Sequence, residues 1–465
     1  MTTLIDAVAR AVARSRGQAV PIRSTSLMAI DDGDVFAIAV IRMVAEEHLQ
    51  AIAFGNPHRK PAIITRTNPL GRDASELESF AAALNEYIQR RRATGNIPRF
   101  WVSHPAALAG IEILSHRYRT NKEATDTLRS MGTQCRIIAD EARRPGQQTV
   151  FIATLLLTAH VATGQMPIED GHLDALLAWL EPGVTDRAAE ANRRSMLPAA
   201  AMLPRPDDDR VEELRLVAKE STRAGMRAKD EIVRLLELGA RREWEMLIRA
   251  RREFSRLGLQ NSAEIDALVA ITLDRTTFAF GNLVSPPSRS AALSKLLDDM
   301  EYESDVVAKF DAKNDALLRE RLRRSGKAIQ ARVQAVDQPT RNRKPCTVSI
   351  STTQPVLRIR RDTLLQTTDG RVIGRVMSIS SSSEGQRLEL LLEKGVRAAV
   401  VPTVGDNVEW VEASPPDLRV LKQRVRAAAK EAGAFTITGA TLPAAAPRAV
   451  RSKDLVKEVD RRRRF

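Results

Sequence analysis

The chain has 465 residues, 43% hydrophobic and 28% charged, which is ordinary for a soluble globular protein and long enough for two to four domains. Two cysteines, Cys135 and Cys346, exclude a disulfide framework and suit a reducing cytoplasm, while aromatics at 4% leave the cores to Leu, Ile, Val and Ala. The net charge of +14 is uneven: residues 1–200 hold 23 Lys+Arg against 21 Asp+Glu, residues 201–300 hold 17 against 17, and residues 301–465 hold 32 against 20. Nearly all the excess therefore lies in the last third, and a clustered basic surface is the electrostatic footprint of a polyanion binder.

Taken in order, residues 1–200 predict an α-rich N-terminal domain. Residues 1–16 form a short amphipathic helix rather than a secretory signal. Residues 35–48 are apolar nearly all round and so buried; residues 51–54 and 62–65 suit two short strands. Helices follow over 75–92, with Leu77, Phe80, Leu84 and Ile88 on one face, and from Pro105, with Leu108, Ile111 and Tyr118 inward. A further helix carries Leu128, Met131, Cys135, Ile138 and Ala142, then come a buried helix over 147–163 and an amphipathic one over 173–180. The longest apolar runs, 35–41 and 151–161, are too short to span a bilayer, so no membrane partner is expected.

Residues 207–337 read as a long antiparallel, coiled-coil-like helical arm. Val233, Leu236, Ala240, Trp244, Leu247 and Phe254 recur at three- and four-residue steps, Gly258 ends that helix, and Pro286-Pro287 separates the second helix from the third. Such helices with one apolar stripe need a partner face, most simply each other or a second subunit. Beyond the basic linker at 338–345 the period switches to two: Leu357 and Ile359 alternate with Arg358 and Arg360, Asp369-Gly370 is a hairpin turn, and Leu388, Leu390 and Leu392 alternate with Glu389 and Glu393. With 396–401 and 408–410, residues 346–415 make five short strands, which resemble a small β-barrel of oligonucleotide-binding or SH3-like type. Residues 416–465 are read as a C-terminal helix and basic tail. The fold class expected is thus mainly α, with a five-stranded barrel near the C-terminus.

No Gly-rich phosphate loop, nucleophile elbow, HExxH or CxxC occurs, so no cofactor, no metal and no catalytic residue is expected. The densest group of ligand-type residues, Glu169, Asp170, His172 and Asp174, is read as a helix N-terminus with its acidic cap. Arg42…His48 and Arg99…His104 have the spacing of an all-helical ribonuclease family that uses His as acid/base, but Met43 and Phe100 stand where a polar residue follows the arginine in that pattern.

The basic residues carry more. Arg319, Arg323 and Lys327 lie at four-residue steps, Arg324 widens that face, and Arg341, Arg343 and Lys344 continue it into the linker. Arg358, Arg360 and Arg361 belong to the first expected barrel strand, Arg371 and Arg375 to the second. Such residues neutralise phosphates without reading sequence, and with Trp410 the lone aromatic of the barrel there is no platform for base stacking. The function expected is a non-enzymatic, nucleic-acid-associated scaffold or accessory subunit of a larger bacterial assembly. Its partners would be DNA or RNA, and a protein partner or second copy through the arm. The alternatives are a protein–protein adaptor and the helical, metal-independent ribonuclease.

Overall fold

The computed structural model describes residues 4–30, 33–43, 48–69, 74–262, 264–283, 290–337, 346–382, 385–395 and 400–413. Residues 1–286 with 300–415 form one compact unit; of the second, 287–299 with 416–465, the described residues are the opening turns of one helix. The expected C-terminal helix and basic tail lie outside the described residues. Among the described residues no helix is long and apolar enough to cross a membrane.

The N-terminal region is not built of helices alone: its helices pack on a five-stranded mixed sheet. Its strands are β1 (Phe36–Arg42), β2 (Leu49–Gly55), β3 (Ala62–Thr65), β4 (Phe100–Val102) and β5 (Val150–Ile152). Their order is β3-β2-β1-β4-β5, antiparallel through β1, β2 and β3, with β4 parallel to β1 and β5 parallel to β4. The all-round apolar stretch at 35–41 is therefore a central strand, buried on both faces. Period-2 alternation distributes it: Phe36, Ile38 and Val40 enter one core, Ala37, Ala39 and Ile41 the other. A strand of this kind has no polar face, and periodicity alone does not separate it from a buried helix. Residues 147–163 divide for the same reason, into β5 and a short helix.

The helices are α1 (Leu4–Arg16), α2 (Glu78–Ala93), α3 (Pro105–Tyr118), α4 (Asp126–Ala142), α5 (Ala153–His160), α6 (Leu173–Leu180), α7 (Arg187–Ser195), α8 (Arg205–Ala218), α9 (Arg223–Arg256), α10 (Ile265–Asn282), α11 (Ser290–Asn314) and α12 (Ala316–Arg324). Helices α2, α3 and α4 cover one face of the sheet through Phe80, Leu84, Ile111, Met131 and Ile138. Helices α5, α6, α8 and α9 cover the other. Its residues Ala37, Ala39, Ala51 and Ala53 are small, which lets a long helix lie close against the strands.

That long helix is α9, and it corrects the expected arm. Its 34 residues span about 51 Å. The stripe of Leu236, Ala240, Trp244, Leu247 and Phe254 is buried against the sheet, with Phe254 edge-on to Trp101 at 5.8 Å, and shares that core with Val211 and Leu214 of α8, rather than packing on the later helices of an antiparallel arm. The stripe was legible; its partner was not. Similarly, 328–337, expected to end the arm, is the first strand of the barrel.

The barrel is closed and has six antiparallel strands, not five. They are β6 (Ala328–Asp337), β7 (Thr347–Thr352), β8 (Leu364–Thr367), β9 (Ile373–Ser382), β10 (Gly385–Lys394) and β11 (Asn407–Glu412), in the order β6-β7-β10-β9-β8-β11. Ile329, Val333, Val348, Ile350, Leu365, Val376, Leu388, Leu390 and Trp410 fill the interior. The expected strand at 357–359 is irregular chain between β7 and β8, and most of the one expected at 396–401 lies outside the described residues.

One close approach inside the α-layer sets a test of this packing. A Cβ added at Gly132 in α4 would stand 2.5 Å from the Arg119 backbone nitrogen, and backbone cannot swing aside as a side chain can. Gly132→Ala should therefore destabilise the protein by about 1–3 kcal/mol in chemical unfolding, despite alanine's better helix propensity. A stabilised Gly132→Ala protein would refute the α3–α4 packing.

Candidate functional site

Of the basic residues singled out by sequence, the structure neutralises about half. Arg319 donates to Glu409 at 2.8 Å and to the Lys313 and Ala312 carbonyls at 2.6 and 3.3 Å, bracing α12 against β11. Arg323 and Arg324 share the Glu320 carboxylate, and Arg323 also donates to Gln330. Arg371 lies 3.7 Å from Asp369, and Arg375 pairs with Glu393 at 2.6 Å. Arg341, Arg343 and Lys344 lie outside the described residues.

Lys327, Arg358 and Arg360 differ: each is exposed and none forms an ion pair with the described residues. Arg332 and Arg361 share that state. The crossing that gathers Lys327 and Arg358 is local and specific. Gly326 ends α12 in the left-handed region at φ +78°, with Lys327 N–H closing back onto the Leu322 carbonyl at 2.8 Å, the pattern of a glycine C-cap. The Gly326 carbonyl then accepts Arg358 N–H at 2.9 Å, and a Cβ on Gly326 would stand 2.8 Å from the Val356 oxygen. Gln354 ties the same corner, its amide donating to the Ala328 and Val356 carbonyls at 3.0 and 3.1 Å and to that of Arg323. Beside it runs an open groove of about 430 Å³ lined by Arg323, Arg324, Gln330 and residues 352–356. Residues 316–361 carry 12 Lys+Arg against two Asp+Glu. The barrel's lone aromatic, Trp410, is buried inside it, so this end presents cations and backbone but no ring.

A second location lies at the end of the N-terminal sheet. In open α/β sheets ligands bind outside the carboxyl ends of the strands where the strand order reverses. Here that point lies between β1 and β4, beyond Arg42 and Val102. It is occupied by the chain itself. Met202 pairs in parallel with Arg42, and Ala201, buried in the left-handed region at φ 57°, accepts the Arg42 N–H at 2.8 Å. Glu243 of α9 reaches the same spot, its carboxylate taking hydrogen bonds from Ser103 Oγ and the Ala201 N–H. Burial pushes the Glu243 carboxyl up to about 6, against the pull of those two donors and of Arg242. Its trace in the sequence is a glutamate on a helix face otherwise striped with apolar residues.

The remaining candidates are committed locally. His104 caps α3, its Nδ1 accepting Ala106 N–H at 2.9 Å, and burial with the nearby His172 holds its pKa below the usual histidine value. His172 caps α6 and Asp170 is taken by Arg10, Thr163 and Gln165. Arg99 and His104 stand at opposite ends of β4, with Arg99 reaching the Ile30 carbonyl at 3.2 Å. Arg42 points to the Ala106 carbonyl at 3.5 Å, while His48 meets Arg117 at 3.0 Å. Neither Arg/His pair forms at a helix start. No protein-family profile, curated protein or solved structure matches the chain.

Proposed function

We propose that the chain is a non-enzymatic, nucleic-acid-associated scaffold or accessory subunit that holds phosphate backbone through the basic end of its barrel. The observation that carries this reading is the meeting of Lys327 and Arg358 at the Gly326 crossing, with Arg360 two residues further on: exposed cations that form no ion pair with the described residues, while Arg319, Arg323, Arg324, Arg371 and Arg375 are paired. Cations held in place but not neutralised release phosphate counterions on binding, and the lack of an exposed ring turns them toward backbone rather than bases. The chain's own occupation of the sheet's switch point supports the non-enzymatic part. Cys135 and Cys346, both buried free thiols, support a reducing, cytoplasmic setting.

The test uses the full chain. Its affinity for a mixed-sequence DNA duplex should fall linearly in log–log plots against salt, and Lys327→Gln, Arg358→Gln, Arg360→Gln and Arg361→Gln together should reduce that slope by roughly 3 to 4. Arg371→Gln with Arg375→Gln, which removes two already paired charges, should change it far less. No binding at low salt, or an unchanged slope in the fourfold variant, would overturn the reading.

A further inference from the structure

The barrel is closed by a very short strand, which pairs with only the first part of its neighbour β9. β8 pairs with β9 only over Ile373–Arg375, and the Asp362 and Thr363 backbone extends that contact just to Val376. From Met377 onward β9 is hydrogen-bonded on one side, to β10, and among the described residues nothing pairs with its other edge. Proteins normally guard such edges with charge, proline or a covering loop. Met377, Ser378, Ile379, Ser380 and Ser381 carry neither charge nor proline and all are exposed; a bulge at Val376/Ser378 sits only at the base of the segment.

We propose that this edge pairs antiparallel with the same edge of a second copy of the chain, about a twofold axis at Ile379. The register follows from complementarity. Within one copy, Ile379 stands opposite Leu388, Ser378 opposite Glu389 and Ser380 opposite Arg387. Twofold pairing at Ile379 brings Ile379 against its own equivalent and Ser378 against Ser380 of the second copy. On one face the row becomes Leu388, Ile379, Ile379, Leu388, which continues the barrel's apolar row and covers an isoleucine that is 37% exposed in the single chain. On the other face it becomes Glu389, Ser378, Ser380, Arg387, and symmetry makes this row twice. Glu389 and Arg387 of opposite copies then stand three strand spacings apart, about 14 Å between backbones, with only short serines between them. Glu389 already leans toward the edge, its Oε2 accepting from Ser378 Oγ at 3.0 Å; Arg387, now donating to Ser349 Oγ at 2.7 Å, is exposed and turns to meet it. An uncharged strand flanked by one acid and one base in this order suits its own copy, because the interface is isologous and each charge finds its opposite.

The experiment is sedimentation velocity on the full chain over a range of concentrations. A reversible dimer is expected, weak because strand-edge contacts are small. Ile379→Lys with Ser381→Lys should give a monomer with unchanged far-UV circular dichroism. Glu389→Arg alone should weaken dimerisation about tenfold, the size of two exposed ion pairs per dimer. Glu389→Arg with Arg387→Glu should restore it, which keeps the test sound should the lysine variant misfold. A protein monomeric at all concentrations, including one that captures an unrelated extended peptide, overturns the proposal. So does a dimer indifferent to Glu389→Arg.

Discussion

Glu303→Ala should cost about 3–5 kcal/mol of unfolding free energy, among the largest effects of any single substitution in this chain. Glu303 lies on α11 and is 1% exposed. Its Oε1 takes Arg275 of α10 at 2.5 Å and its Oε2 takes Arg144, just past α4, at 3.1 Å. Arg275 also forks onto Glu141 of α4, with both bonds at 2.6 Å. The two partners' shifts point in different energetic directions. Burial pushes the Glu303 carboxyl above its usual value despite Arg275 and Arg144, whereas Arg275, which burial alone would lower, is held higher by Glu141 and Glu303. The geometry decides for an ionised network, since two arginines within bonding distance stay protonated and fix the carboxylate between them. Removing Glu303 leaves two buried guanidiniums competing for one acid. Changing Glu303 and Arg275 together to Met should recover much of the loss, because a buried ion pair replaced by matching apolar volume is often neutral. A single-variant loss under about 1 kcal/mol in urea unfolding would mean that the network is solvated and that α11 is not clamped to α4 and α10.

The second large effect is at Glu243, and its signature is pH. Its folded pKa, about 6, lies above the ordinary 4.5, so the folded state binds the proton more tightly than the unfolded one. Stability from this group is therefore greatest below pH 4.5, falls as pH rises through 4.5 to 6, and is flat above. A difference of that size corresponds to about 2 kcal/mol. Asp208, Glu253 and Glu303 are raised as well, while Glu181 and Glu264 are lowered, so the wild-type profile is a mixture. The informative quantity is the difference from Glu243→Gln, which still accepts from Ser103 and Ala201 but does not titrate. Wild type minus Glu243→Gln should decline across that window and level off above it. Glu243→Ala should behave differently: at neutral pH it strands the Ser103 hydroxyl and the N–H of left-handed Ala201, costing about 1–3 kcal/mol. A pH-independent difference for Glu243→Gln would show that Glu243 is not desolvated at the sheet's end.

Much of the local structure was readable because it depends on neighbours in the chain. The α2 stripe, Pro105 opening α3, the Asp369-Gly370 turn and the alternation at Leu388, Leu390 and Leu392 all appear where their periods place them. The errors have two causes. Strands β1 and β5 are apolar on both faces and β4 is three residues long, so none of these three shows the alternation that half-exposed strands do. Strand β6 does alternate, with Ile329, Ala331 and Val333 buried between exposed Gln330, Arg332 and Gln334, but it follows a helical segment without a proline to mark the change. The candidate basic surface was partly legible as well. The excess charge of the last third is a property of the composition, but pairing is not, so Arg319 and Arg375 were indistinguishable in sequence from Lys327 and Arg358.

What the amino-acid sequence determined by itself is therefore the set of faces: which residues of each helix are apolar, where turns interrupt them, and that the positive excess collects beyond residue 300. What those faces meet was decided only in three dimensions. The stripe on α9 is compatible with a second helix or with a sheet, and the alanines at 37, 39, 51 and 53 that admit it to the sheet lie more than 150 residues away. Likewise, Glu409 reaches Arg319 across 90 residues and Glu303 reaches Arg144 across 159. Contacts at such separations depend on loop closure and shape complementarity across the whole chain, which leave no periodic trace in any single segment.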